Sequence, residues 1–232
     1  MIKQKPLILF VFCLFFLTKA TAMYAFDVEQ VKNEIFIQLS NDLKGNAKNK
    51  PILILIGGYP GAGKTTLINA LIQTHDIDVI SWNSIRQALL DRHLKGSSYD
   101  WEIIESVNQN LLKVCLQHSA NIVIDANAYA KNIKLFEDLL EKENFKDQYR
   151  IIKICLNPPL ETLLSRVRAR EQKEGVHQGT EIDVIKDFNS EYKKINMADY
   201  SLIIKNDNDI DFKTELNIVH SFLKPFFDQQ HL

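Results

Sequence analysis

The 232-residue sequence predicts an α/β fold: a three-layer sandwich in which a five-stranded parallel sheet carries helices on both faces. Three observations lead there. Short apolar runs, of which Ile52-Leu-Ile-Leu-Ile56 is the clearest, alternate with longer segments of 3.6-residue periodicity. The runs are too continuously apolar for strands with one wet face, and match strands buried on both sides. Composition agrees, since 46% hydrophobic and 25% charged residues describe one globular domain with a sizeable core rather than a disordered chain.

Taken in order, the periodicity predicts an amphipathic helix over Val28 to Leu43, then a polar connector, Lys44-Gly-Asn-Ala-Lys-Asn-Lys50. Strands are expected at Ile52–Ile56, Asp78–Ser81, Asn121–Asp125, Arg150–Leu156 and Tyr200–Lys205. Helices are expected at Lys64–Thr74, Ser84–His93, Trp101–Ser119, Ile133–Glu143, Leu160–Glu174, Ile182–Lys194 and Phe212–Leu223. No repeat, low-complexity tract or second composition zone marks another domain. The expected organisation is a leader-like segment at 1–22, the helix and connector at 23–50, and one domain at 51–232 with a lid near 165–180.

Residues 1–22 differ from the rest. Lys3 and Lys5 precede an uncharged apolar run from Pro6 to Leu17, and Ala20-Thr-Ala22 has the small-x-small form of a cleavage site, so the segment resembles a signal peptide. The run is shorter than the roughly 20 residues that span a bilayer, which argues against a lasting membrane span. Met23 offers an alternative initiator, so the protein is exported under the first reading and cytoplasmic under the second. The whole chain has a formal charge of −1; without residues 1–22, which hold three lysines and no acid, 25 bases face 29 acids. Such a balance gives no chain-wide basic field for a nucleic-acid backbone. Cys13, Cys115 and Cys155 sit in apolar patterns as ordinary buried thiols, and the histidine spacing implies no metal.

The chemistry is concentrated behind the first strand. Gly58-Tyr59-Pro60-Gly61-Ala62-Gly63-Lys64-Thr65-Thr66 contains a complete G-x-x-x-x-G-K-[ST] motif between a strand and a helix, the Walker A phosphate-binding loop, and defines the fold as that of a P-loop NTPase. Its glycines allow successive N–H groups to turn inward, and the following helix adds its positive end to that nest. Lys64 is expected on the β- and γ-phosphates of ATP, and the Thr65 hydroxyl on Mg²⁺.

In a parallel sheet, ligands bind beyond the carboxyl ends of the strands. The second strand is followed by Ser81-Trp-Asn83-Ser-Ile-Arg86. With the phosphate loop, this resembles P-loop kinases of the zeta-toxin, polynucleotide-kinase and chloramphenicol-phosphotransferase kind, whose pattern there is Asp-x-[Ile/Phe]-Arg. In those families the aspartate is taken as the base for the attacking hydroxyl, and the arginine contacts substrate or phosphate. Asn83 replaces that aspartate here, and an amide takes no proton at neutral pH. Asn83 also reads as the N-cap of the helix that follows.

The resemblance extends to Asp125-Ala-Asn127, where these families show Asp-x-[Thr/Asn], and implies that Asp125 holds Mg²⁺ through water or faces the substrate, with Asn127 beside it. It extends also to Arg166 and Arg170, resembling the family's Arg-x-x-x-Arg at the start of the lid. Four residues apart, they share one helical face on which both guanidinium groups can meet phosphate oxygens, whereas Arg168 points elsewhere. Asn206-Asp207-Asn208, by the same analogy, lies near the adenine. Trp82 and Trp101 read either as packing residues or as a stacking platform for a ring-bearing acceptor.

The resemblance thus implies an ATP- and Mg²⁺-dependent kinase acting on an unidentified hydroxyl: a small molecule, a sugar nucleotide or a nucleic-acid end. The alternative is an ATP-binding module weakened by Asn83, acting through its bound state. No Asn-Lys-x-Asp motif marks a guanine-reading GTPase. A kinase needs ATP where it acts, so an export signal is reconciled with it where another cell or compartment receives the protein; a zeta-type kinase aimed as a poison at another cell would be one such case.

Overall fold

The computed structural model describes residues 27–45, 47, 50–94, 100–125, 130–174, 180–190, 195–207 and 212–228. Strands β1 (Ile52–Gly57), β2 (Asp78–Ser81), β3 (Ile122–Asp125), β4 (Arg150–Leu156) and β5 (Leu202–Ile204) are all parallel, in the spatial order β2-β3-β1-β4-β5. The helices among the described residues are α1 (Val28–Ser40), α2 (Lys64–Thr74), α3 (Trp82–Asp91), α4 (Asp100–Gln117), α5 (Ala130–Lys142), α6 (Leu160–Glu174), α7 (Glu181–Phe188) and α8 (Phe212–Asp228). This is the expected α/β P-loop NTPase sandwich. No helix among the described residues is long and apolar enough to cross a membrane.

Every residue of β1 is buried, because the strand is covered on both faces. Ile52, Ile54 and Ile56 meet Leu67 and Leu71 of α2, Leu163 and Val167 of α6, and Val219 and Leu223 of α8. Leu53 and Leu55 point the other way, into a layer built by α1, α3, α4 and α5. Burying such a side chain is worth roughly 1.5–3 kcal/mol relative to exposure, so these five together supply on the order of 10 kcal/mol toward the cost of ordering the chain. The strand that presents the phosphate loop is therefore the most firmly held part of the sheet.

Buried polar groups fasten the opposite end. The Asn121 side chain accepts from the Ile52 amide at 3.2 Å and donates to the Asp76 carbonyl at 3.3 Å, tying β1 to the approach to β2. Asp78 accepts from the backbone amides of Lys44 and Gly45 at 2.7 and 3.0 Å, which pins the connector behind α1. α1 itself is fixed to α4 by Lys32 against Glu102 at 2.7 Å and by the fully buried Ile35.

Three helix ends differ from expectation by several residues or change the reading of a site residue. The helix expected from Ser84 begins at Trp82, because the Ser81 hydroxyl caps it by accepting from the Asn83 amide at 3.2 Å. Asn83 is thus not the N-cap but sits inside the first turn. α7 ends at Phe188 instead of continuing to Lys194; it starts on a reciprocal capping box between Thr180 and Asp183, while residues 191–194 lie outside the described residues. α8 runs past the expected end at Leu223, through Pro225 to Asp228. Its stripe Val219, Leu223 and Phe227 stays in the core, and Phe227 stacks on His75 with ring centroids 4.1 Å apart. That packing outweighs the hydrogen bond lost at a proline.

Cys115 and Cys155 are buried, and burial pushes both thiols up to about 12, which leaves them protonated and inert.

Candidate functional site

From β1 the chain passes through α2 on one face of the sheet to β2. From β3 it passes through α5 on the other face to β4, on the far side of β1. The two connections diverge, and a crevice opens over the carboxyl ends of β1 and β3. Register sets what lines it: Ile56 lies opposite Asp125, Asp125 opposite Ser81, and Gly57 opposite Cys155.

The phosphate loop fills one side. Gly63 occupies the N-cap of α2 with φ +94° and, having no side chain, leaves the first-turn N–H groups uncapped by the protein, as an anion site requires. Gly61 lies against α6, where a Cβ would come within 2.9 Å of the Leu163 carbonyl oxygen. Tyr59 is buried, its ring 5.4 Å from that of Phe188 in α7, so the loop is wedged between the sheet and two helices.

Lys64 Nζ donates to the Gly58 and Tyr59 carbonyls at 2.9 and 3.2 Å. It thereby bridges the loop's own backbone. Burial pulls its pKa below the ordinary lysine value, Asp125 opposes that shift, and the positive charge of Arg170 adds to it. Lys64, Asp125 and Arg170 therefore sense one another's fields in one small space. A bound polyphosphate would favour the charged form of Lys64 further.

Asp125 is 5% exposed at the end of β3, and its Oδ2 accepts from the Ser81 hydroxyl at 3.2 Å. Thr65 stands exposed in the first turn of α2. A carboxylate at a strand end and a hydroxyl at the head of the helix behind the neighbouring strand are hard oxygen donors of the type that suits Mg²⁺, so the residues present fit the ion. Asn127, expected beside Asp125, lies outside the described residues.

The α6 arginines reach the loop by different routes. Arg166 Nη2 donates to Asn206 Oδ1 at 3.3 Å, and Asn206 Nδ2 donates to the Ala62 carbonyl at 2.7 Å. Arg170 lies close enough for its positive charge to help lower the Lys64 pKa. Arg168 is on the exposed side and forms a two-pronged ion pair with Glu181, joining α6 to α7. Residues 175–179 of the expected lid lie outside the described residues.

Across the crevice, Arg86 Nη1 donates to Asn83 Oδ1 at 3.3 Å. Burial pulls the Arg86 pKa down, and the negative charges of Asp100 and Asp125 oppose this. Trp82 and Trp101 pack edge to face, 5.1 Å between centroids, next to this pair. Packing accounts for Trp82; Trp101 remains 54% exposed.

Two residues at the site carry no specific signal in the sequence. Asp187, 6% exposed in α7, lies close enough to help hold the Lys64 pKa up. Asn206 is 2% exposed directly behind β5. The family analogy reads it as part of a loop near the adenine, and nothing in the pattern marks its contact with the Ala62 carbonyl.

This arrangement defines a P-loop protein with a nucleotide-binding, kinase-like fold. Residues 53–195 match the AAA domain family AAA_33, and the chain belongs to it. Among solved structures it is similar to a candidate kinase from Chloroflexus aurantiacus, with TM-score 0.59 at 16% identity over 78% of this chain and 98% of that one. It is similar also to APE1195, with TM-score 0.50 at 16% identity over 79% and 99%. A third likeness is to a chain of the Pnkp1/Rnl/Hen1 RNA repair complex, with TM-score 0.51 at 19% identity over 61% of this chain and 44% of that one. At such identities the likeness shows the fold. A 65-residue stretch, 27% of the chain, is 37% identical to part of the genome polyprotein of Human rhinovirus A serotype 89, and spans 3% of that polyprotein.

Proposed function

We propose that this protein is an ATP-dependent kinase of the zeta-toxin, polynucleotide-kinase and chloramphenicol-phosphotransferase kind. It transfers the γ-phosphate of ATP to a hydroxyl of a small molecule, a sugar nucleotide or a nucleic-acid end. The observation that carries the reading is convergence on one loop: Lys64 within it, Asp125 across the crevice, and Arg166 and Arg170 descending from α6.

In this reading residues 58–66 bind the phosphates through backbone N–H groups and Lys64. Thr65 and Asp125 hold Mg²⁺, which when bound neutralises charge on the β- and γ-phosphates. Arg166 and Arg170 stabilise charge that develops between those phosphates as the bond to the leaving oxygen lengthens. The acceptor enters over β2 and β3, with Arg86 contacting it and the Asn83 amide oxygen orienting its hydroxyl. The transition state of phosphoryl transfer is loose, so the hydroxyl proton leaves late, to a phosphoryl oxygen, and no strong base is required. The end of α6 that carries Arg166 and Arg170 would begin the lid over the triphosphate.

The amide at position 83 favours a second reading, an ATP-binding module that acts through its bound state. The experiment that separates the two incubates the full chain with Mg²⁺ and γ-labelled ATP. A panel of nucleosides, nucleotide sugars, aminoglycoside-like and phenicol-like alcohols and 5′-hydroxyl oligonucleotides is offered, and label transfer is followed. Label on one acceptor is expected; ATP bound without transfer or hydrolysis would overturn the kinase reading. For a kinase, Asn83→Asp changes rate or acceptor preference about tenfold or less, below the roughly 10²- to 10⁴-fold of general-base catalysis, because a loose transition state draws little on a base. Activity appearing only in Asn83→Asp would mark the binding module.

A further inference from the structure

We infer that Asn206 is a positioning residue that sets the shape of the phosphate loop and aims Arg166 at it. The inference rests on the reading of that loop as the phosphate site.

Asn206 follows β5 and is almost fully buried, with both ends of its side-chain amide engaged by different elements. Nδ2 donates to the Ala62 carbonyl at 2.7 Å, and Oδ1 accepts from Arg166 Nη2 at 3.3 Å. Its own backbone amide donates to the Glu215 carboxylate in α8. The backbone sits at φ +49°, a region that asparagine tolerates better than most residues. The facing wall is built to match. A Cβ at Gly63 would lie 2.6 Å from Asn206 Nδ2, so only glycine lets the amide approach the loop this closely.

The contact at Ala62 bears on phosphate binding through peptide geometry. In a planar trans peptide the C=O of one residue and the N–H of the next point in opposite directions. Holding the Ala62 carbonyl toward Asn206 therefore turns the Gly63 N–H away from Asn206, as an inward-facing donor of the nest must be turned. The other end of the same amide fixes the Arg166 guanidinium. Loop and arginine are thus registered to each other through one side chain, and only a side chain with both a donor and an acceptor can do this. Aspartate keeps the acceptor for Arg166 but sets a carboxylate oxygen against the Ala62 carbonyl. Glycine removes both contacts and accepts the positive φ without strain.

The test is calorimetric titration of MgATP and of adenosine into the wild type, Asn206→Gly, Asn206→Asp, Arg166→Ala and the double variant Asn206→Gly/Arg166→Ala, with the melting temperature of each. The expected results are an ATP affinity about tenfold weaker in Asn206→Gly and Asn206→Asp, with adenosine affinity unchanged. Arg166→Ala should weaken ATP binding several-fold in the wild type and less than about twofold once Asn206 is glycine, the mark of coupled groups. An equal Arg166→Ala effect in both backgrounds would overturn the inference. So would melting temperatures that fall while ATP affinity stays within about twofold, since that describes a purely structural residue. A wild type that binds ATP but transfers nothing defeats the kinase reading and leaves this inference standing; one that binds no nucleotide defeats both.

Discussion

Lys64→Ala is expected to reduce phosphoryl transfer by at least about 10²- to 10³-fold, the range seen when a charge-stabilising donor is removed from a preorganised site. The fold is expected to survive. In the structure the ammonium is tied to the Gly58 and Tyr59 carbonyls, and burial already depresses its pKa. Truncation removes two hydrogen bonds but also relieves a desolvation cost, so the two largely offset in stability. They do not offset in function. A polyphosphate entering the loop would lose the loop's own cation and be left with backbone donors and the arginines. Steady-state rates together with melting temperatures check this; a variant that retains turnover would remove the loop from the chemistry.

Gly58→Ala is expected to be the most destabilising change at the site, costing about 2–4 kcal/mol. Two effects act together. Gly58 has φ +144°, a conformation that L side chains rarely adopt, and a Cβ there would lie 2.6 Å from the Leu156 carbonyl oxygen and 2.9 Å from the Ala62 Cβ. The first obstacle belongs to β4, whose end is held by its pairing with β5 and by the Asn157 amide donating to the Ile204 carbonyl at 2.8 Å. It cannot yield without breaking the sheet. Gly63→Ala shares the positive-φ strain at φ +94°, but the atom in its way is the Asn206 Nδ2, whose displacement breaks the bonds to Ala62 and Arg166 and leaves the sheet intact, so its stability cost is smaller. Denaturant midpoints of the two variants measure the difference; equal stabilities would show that the β4 carbonyl yields as readily as a side chain.

The fold is legible in the sequence where chemistry and periodicity speak together. The first strand and the helix from Lys64 to Thr74 are marked by the apolar run, the glycines and the lysine, and the Leu160–Glu174 helix and the Arg150–Leu156 strand have the bounds their patterns imply. The spatial order of the strands is not legible, because it depends on which faces the crossover helices cover. Ser81 hides the true start of α3: as the last residue of a strand it looks like β structure, while its hydroxyl already serves the helix. Pro225 suggests a helix end, yet the contact of Phe227 with His75, distant in sequence, lies beyond any local pattern.

The site divides in the same way. Its proposed phosphate end stands in one continuous stretch, so the motif alone is enough to propose residues 58 to 66. The partners that orient it come from distant parts of the chain. Asn206 reaches the loop across 144 positions and is itself reached by Arg166 across 40, and an asparagine behind a strand says nothing by itself about either. The acceptor side is the least legible. Asn83, Arg86, Asp100 and the two tryptophans come together only when α3 and α4 pack, and that packing follows from the apolar faces of those helices rather than from a motif.

The central claim is that this loop holds a nucleotide by its phosphates. Titrating ATP, ADP, AMP and adenosine into the full chain by calorimetry, with and without Mg²⁺, tests it most directly. One site is predicted, with ATP and ADP binding at least about 100-fold more tightly than AMP or adenosine, as charge-assisted contacts to the outer phosphates require. Equal affinity for adenosine and ATP, or no binding of either, would contradict it.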